Sequence, residues 1–370
     1  MNPTDTNTLI QETIASIRPI DGAAMKKASE RMDGLLKPPG SLGRLEEIGI
    51  RLAGIQGNYQ PKAKEKLSLV FAASHGVAEE GVSMTPSSVD GIMVRAIAAG
   101  KAGINVLARR AGAEVRVIDV GVSEPYEEPE NVVVQRVRRG TANFLKETAM
   151  TEHEAAQALV VGITTAKNAI QETGAKIVGI GEMGIGNTTA AAALTSVFTD
   201  SDPALVTGAG TGLPEDALRR KIRVVRDSLA LHQPNPENPL GVLSAVGGLE
   251  IAAMAGAMLA AASEGALVVV DGFISGSAAL CAAAFAPMIR ERMVLSHLSV
   301  EPGHKAMAAA LELRPLVNLG FRLGEGTGSA AVMPLIEDAA ALLTEMGTLE
   351  EELVAFAPPE HPSKQETQTK

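Results

Sequence analysis

"KIVGIGEMGIGNTTAAAAL", residues 176–194, contains a complete structural unit. The apolar, β-branched start reads as a buried strand, the glycines at 181, 184 and 186 mark a turn, and the alanine run from residue 190 has helical composition. Strand, glycine turn, helix is the repeating half of a parallel sheet, because parallel neighbours need a crossover that is usually a helix.

The same alternation continues on both sides of this stretch. "LSLVFAA" (67–73), "EVRVIDV" (114–120), "NVVVQRV" (131–137), "ALVTG" (204–208), "ALVVVDG" (266–272) and "MVLSHL" (293–298) read as further strands separated by Ala-rich helical segments. Before residue 60 the texture is different: Leu9, Ile10, Ile14 and Ile17 fall at helical spacing, and "AAMKKASERMDGLL" repeats the pattern. The expectation is an α/β protein: a Rossmann-like large domain with a parallel sheet and helices on both faces, plus a small helical domain. The expected boundaries are 1–60 for the helical N-terminal domain, 61–345 for an α/β domain binding nucleotide and base, and 346–370 for a helix end and disordered tail.

Composition narrows the function. Of 370 residues 46% are hydrophobic but only 2% aromatic, with no Trp, so the core is built from Ala, Val, Leu, Ile and Met. A net charge of −10 and so few rings leave neither a phosphate-backbone footprint nor stacking platforms, which argues against nucleic acid as a partner. The lone Cys281 sits in the apolar run "AALCAAAFA" and reads as a buried small hydrophobe. The N-terminal stretch is polar and amphipathic rather than basic then apolar, and the apolar segment 251–263 is short and bracketed by Glu250 and Glu264. A soluble, cytoplasmic chain with no membrane partner is expected.

Three segments share one texture: "GEMGIGNTTAAAAL" (181–194), "TGAGTGL" (207–213) and "GEGTGSAAV" (324–332). Closely spaced glycines allow the backbone to approach a ligand, and the adjoining Asn, Thr and Ser supply donors, a combination suited to a phosphate and a ribose. Each loop is weak alone, since Gly-x-Gly occurs in ordinary turns; three in one chain carry more. The P-loop string is absent, and the first strand runs into "SHGVAEEGVSMTP" rather than a dinucleotide fingerprint. Two carboxylates, Glu182 and Glu325, stand inside glycine frames where an anion alone would not want them. They have work to do if a proton must leave or positive charge develops nearby. Capping of a helix start is the competing reading for Glu325, and residue chemistry leaves both open.

At this point the chain resembles the nicotinate-nucleotide:dimethylbenzimidazole phosphoribosyltransferases of cobalamin lower-ligand synthesis. The resemblance runs nearly end to end, through "GLLKPPGSLGRLE" (34–46), "HGVAEEGV" (75–82), "VIDVGV" (117–122), "GEMGIGNTT" (181–189), "HQPNP" (232–236), "VGGLEIAAMAGAML" (246–259), "VVDGFISGSAAL" (269–280), "SHLSVEPG" (296–303) and "RLGEGTGSAAVMPLIE" (322–337). It implies transfer of the phosphoribosyl group of nicotinate mononucleotide to a benzimidazole-type base, with Glu325 as general base and Glu182 supporting the same centre. It also implies that Gly184, Gly186, Asn187, Thr188, Gly208, Gly210, Thr211, Gly212, Gly324, Gly326 and Thr327 hold the nucleotide, with Lys221 on the phosphate. Lys221 has a second reading, as one of three consecutive basic residues on a solvated helix face. No cofactor and no metal are called for: the ring nitrogen of the departing nicotinate is already cationic, and the six histidines lack metal-ligand spacing. On this reading His75 and His297 stabilise strand ends by hydrogen bonding. Relatives of this kind are homodimers.

The likeness departs from the family at two places. Ser74 stands where the family has an acid before His-Gly-Val, and no glutamine occurs between residues 74 and 110; Met93 takes the place of the one expected at the acceptor base, with Thr85 and Pro86 nearby. Benzimidazole, a methoxy- or hydroxy-substituted relative, adenine or a phenol therefore stand beside dimethylbenzimidazole as acceptors. A non-catalytic nucleotide-binding or regulatory homologue and a diphosphate-dependent phosphoribosyltransferase are the alternatives to the main reading. For the last, Asp271 is a single acid where that loop normally has two.

Overall fold

A computed structural model describes residues 3–210 and 212–355. Six strands, β1 (Lys66–Ala73), β2 (Ala113–Gly121), β3 (Val132–Val134), β4 (Ile177–Met183), β5 (Leu267–Val270) and β6 (Met293–Leu295), form one sheet in the order β3-β2-β1-β4-β5-β6. Every neighbouring pair is parallel, as the strand–helix alternation requires. The chain builds outward from β1 through β2 to β3, then returns to lay β4 on the other side of β1. Connections on the two sides therefore diverge, and a crevice opens beyond the carboxyl ends of β1 and β4.

Alternation along β1 assigns the two faces. Leu67, Leu69, Phe71 and Ala73 point into a core shared with the helices Glu152–Thr173 and Leu249–Ser263, while Val70 and Ala72 join Val94, Ile97, Ile104 and Ala330 on the other face. Every residue from Leu249 to Ala262 is buried, so the apolar segment singled out in the sequence is a central core helix. It lies so near its partner that a Cβ on Gly162 would sit 1.8 Å from the Ala253 carbonyl oxygen. Small side chains permit that approach, which is how a core almost without aromatics reaches native density.

The helix Pro3–Ala15 contributes Ile10 to the first face; Gly22–Asp33 and Arg44–Gln56 pack beside the helix Thr327–Glu345 on the second. The segment Val89–Ala111 is long and apolar enough, by composition, to cross a membrane, but it is broken at residues 99–102 into the helices Val89–Ala98 and Gly103–Ala111.

One expected strand is overturned. Residues 204–208 begin instead in a short helix, Pro203–Val206, because Asp202 accepts from the Ala204 N–H at 2.7 Å and Pro203 at the first helical position pre-sets the turn. The strand expected at 131–137 is trimmed to Val132–Val134. The proposed tail beyond residue 355 and the candidate Thr211 lie outside the described residues.

Candidate active site

The crevice is the floor of a cavity of about 240 Å³ enclosed by the loops after β1, β4, β5 and β6 and by the helix Val89–Ala98. Two of the glycine loops meet in it. Gly186 and Gly326, at φ +95° and +88°, are the caps from which the helices Asn187–Thr199 and Thr327–Glu345 start. The loops touch backbone to backbone: a Cβ on Gly181 would lie 2.4 Å from the Glu325 carbonyl oxygen, and one on Gly324 would lie 2.3 Å from a Glu182 carboxylate oxygen. Glycine at these positions is thus a condition for bringing the two carboxylates together.

Glu325 itself occupies the left-handed region at φ +63°, between two glycines that also have positive φ. A non-glycine residue there costs on the order of 1 kcal/mol and persists only where its surroundings impose it. Its carboxylate accepts from the Ile104 N–H at 3.3 Å, at the start of the helix Gly103–Ala111. The capping reading of this residue therefore holds, although the helix it caps is not its own, and the same carboxylate is a buried acid in the cavity. Burial raises its pKa, against the opposing pull of the Ile104 and Gly103 N–H groups.

Glu182 is buried and pushed up to about 8, first by desolvation and then by the charge of Glu250. The Asn187 side-chain amide donates to it. Asp271, at the end of β5, accepts from the Ser329 N–H at 2.8 Å and so caps the helix Thr327–Glu345; burial raises it to about 7 against that and neighbouring backbone donors. His297, just past β6, lies 3.0 Å through Nδ1 from the Ser296 hydroxyl, and burial lowers it to about 4, which keeps the ring neutral. His75, just past β1, pairs through Nε2 with Glu250 at 2.6 Å. His75 thus ties the end of β1 to the core helix Leu249–Ser263, whereas the His297 bond is to its own sequence neighbour.

The third glycine loop is supported from below. Lys221 is fully buried; its Nζ donates to Thr188 Oγ1 at 2.8 Å and to the Gly208 carbonyl at 3.1 Å. The solvated-face reading of this lysine is overturned, because the helix Glu215–His232 turns residue 221 inward while Arg219 stays exposed. Desolvation lowers the Lys221 pKa to about 8. Glu301 holds the loop from the other side, accepting from the Gly210 N–H at 2.9 Å.

Of the residues proposed from sequence, Glu182, Glu325, Gly184, Asn187, Thr188, Gly210, Gly324, Thr85 and Met93 line the cavity. Gly186, Gly326 and Thr327 form the helix starts behind it, and Gly208 and Lys221 underlie it. Two are not brought there: Gly212 is exposed on the outer side of its loop, and Pro86 lines an adjacent groove with Ser74 and His75. Asp271, His297, Ser299, Glu301 and Arg322 line the cavity and were missed as site residues. Asp271, His297, Ser299 and Glu301 had only a positional signal, at or just beyond the ends of β5 and β6, while Arg322 opens the glycine loop of Glu325, three residues before it. Among the described residues no three or more His, Cys, Asp or Glu side chains are grouped to hold a metal ion.

Known proteins share this architecture. A family model described as phosphoribosyltransferase matches residues 17–354. The nicotinate-nucleotide–dimethylbenzimidazole phosphoribosyltransferase of Citrifermentans bemidjiense is 48% identical over 347 residues, 94% of this chain and 99% of the relative. Its counterpart in Geobacter sulfurreducens is 47% identical over 348 residues, with 94% and 99% covered. Among solved structures, CobT from Thermus thermophilus superposes with a TM-score of 0.87 at 43% identity, over 90% of this chain and 100% of that one.

Proposed function

We infer the reaction from one premise, that this chain belongs to the nicotinate-nucleotide–dimethylbenzimidazole phosphoribosyltransferase family. It transfers the phosphoribosyl group of nicotinate mononucleotide to 5,6-dimethylbenzimidazole or a related lower-ligand base, giving α-ribazole 5′-phosphate and nicotinate. In the step we propose, one ring nitrogen of the base attacks C1′ while the bond from C1′ to the pyridinium nitrogen breaks. The bonding pair returns to nicotinate, which departs uncharged at its ring nitrogen. The proton on the other nitrogen of the base passes to Glu325. Displacement from the opposite face turns a β substrate into an α product.

The observation that carries this reading is the pair of buried acids, Glu182 and Glu325, that line one cavity from two loops packed together at glycines, with Glu325 in a strained backbone conformation. A raised pKa suits Glu325 to take a proton, and Glu182, pushed up to about 8 in the empty site, stabilises the positive charge that builds on the sugar once that charge draws its proton off. Thr188, Gly210 and the ammonium of Lys221 beneath them are the phosphate end in this proposal. On the acceptor side stand Thr85, Val89 and Met93, an apolar wall with one hydroxyl. A cytoplasmic homodimer is the working form we assign, supported by the family likeness.

Incubation with nicotinate mononucleotide and dimethylbenzimidazole in the presence of EDTA should release nicotinate. A strict Mg²⁺ requirement would favour the diphosphate-dependent reading instead. Tight nucleotide binding without turnover on any azole or phenol would favour a non-catalytic role.

A further inference from the structure

We propose that Asp90 is a positioning residue for this reaction: its buried carboxylate ties the acceptor-side helix to the peptide of Ile185, and thereby fixes the loop that joins Glu182, at the end of β4, to Asn187 at the start of the next helix. The inference rests on the functional reading above for its kinetic consequence, but not for the clamp itself.

Asp90 lies in the first turn of the helix Val89–Ala98, whose Val89 and Met93 line the cavity. It is fully buried, and both carboxylate oxygens are used. One accepts from the Ile185 N–H at 2.9 Å; the other accepts from the Ser74 hydroxyl, whose oxygen in turn accepts from the Ser123 N–H at 3.1 Å. A single side chain therefore joins the segments following β1, β2 and β4, which are the elements that meet at the crevice. Packing alone does not call for an acid here. A buried carboxylate is costly unless donors satisfy it, and donors committed to a charged acceptor are held more firmly than those in neutral pairs.

Ile185 needs such an anchor. It sits between Gly184 and Gly186, the latter at φ +95°, so its peptide has little conformational preference of its own. Two residues to either side the same loop carries Met183 and Asn187, and Asn187 donates to Glu182. A tilt of the Ile185 peptide would move that amide, and with it the acid it orients. The glycines cannot be replaced to stiffen the loop, since a Cβ on Gly184 would meet the Ala73 carbonyl oxygen at 2.4 Å. The clamp thus supplies rigidity that the loop's own sequence must forgo. The Ser74 hydroxyl, just past the end of β1, is thereby held by a carboxylate that reaches in from the neighbouring helix.

The test is amide hydrogen exchange of segment 181–189 alongside steady-state kinetics, on Asp90→Ala and on Asp90→Asn, which keeps a carbonyl oxygen for Ile185. Asp90→Ala should raise exchange in 181–189 at least about tenfold while the core helix Leu249–Ser263 keeps its protection, and should lower kcat/KM on the order of 10²-fold, as small misplacements of reacting groups do. Asp90→Asn should recover most of both. Unchanged exchange in Asp90→Ala overturns the clamp; faster exchange with wild-type kcat and KM overturns the positioning role. If Asp90→Ala yields no folded protein, Ser74→Ala is read on the same two measurements, with faster exchange and reduced kcat/KM expected and no change in either overturning the proposal. Failure of the wild-type protein to release nicotinate would overturn the functional reading and leave the exchange result standing by itself.

Discussion

Glu325 shows how much a single residue's surroundings decide. Its carboxylate is raised by burial and partly relieved by two helix N-terminal N–H groups, so it is neither the free acid of solution nor a fully desolvated one. A base in that state accepts a proton more readily than a solvated glutamate does. Glu325→Gln keeps the shape and can still accept from Ile104 but cannot take a proton. Its kcat for nicotinate release should fall by roughly 10²- to 10⁴-fold, while KM for the mononucleotide moves by no more than about threefold, the signature of an interaction made only in the transition state. The pH profile gives an independent sign. The base works deprotonated and its pKa lies above the ordinary glutamate value, so the acid limb of kcat should lie above pH 4.5. That limb should vanish in the residual activity of the variant.

At the scale of elements, glycine and alanine make close approach possible. The helices Glu152–Thr173 and Leu249–Ser263 meet through Gly162 and Gly256, where added Cβ atoms would lie 1.8 and 2.0 Å from carbonyl oxygens of the partner helix. Gly162→Ala meets rigid backbone rather than a side chain able to rotate away. It should destabilise the protein by about 3 kcal/mol, the upper part of the range for overpacked cores, seen as a lower urea midpoint with kcat preserved below the transition. The strand–helix alternation that builds this architecture was legible in the sequence because the strands are β-branched and the helices Ala-rich. It misled at residues 204–208, where Asp202 and Pro203 fix a helical turn more firmly than a short apolar run favours a strand. Glycine marked most of the cavity's loops, with Gly212 the exception, since it stays exposed outside it. Lys221 was ambiguous because a run of basic residues does not reveal which of them a helix turns inward. Asp271, Glu301 and His297 were not readable as one site at all, since only the strand order brings the ends of β5 and β6 to the edge where β4 ends.

The whole molecule gathers acids at its dry centre, and that has a consequence for stability. Glu182 at about 8, Asp271 at about 7 and Asp90 at about 6 are all raised, chiefly by burial, and Glu325 and His75 shift in the same direction. A group that holds its proton more tightly folded than unfolded favours folding at low pH, and that contribution is lost as pH rises through the folded value. Opposing groups act elsewhere on the scale. His297 and His304, lowered to about 4, weaken the fold only as pH falls below the ordinary histidine value of 6.5, and Lys221, lowered to about 8, carries a constant cost below that value that is relieved only as pH rises above it. Between pH 6.5 and 8 the raised acids act without that opposition. The ligand-free protein should therefore lose several kcal/mol of stability across this interval, a fall in thermal midpoint where many proteins are near their best. Glu182→Gln removes the group with the highest raised carboxyl value and should flatten the slope substantially, which thermal unfolding at four or five pH values would resolve. Nicotinate mononucleotide, whose pyridinium brings positive charge to these carboxylates, should lift the midpoint more at pH 8 than at pH 6.5. The same destabilised acids that make the empty site costly would then be what favours the cationic sugar once substrate is bound.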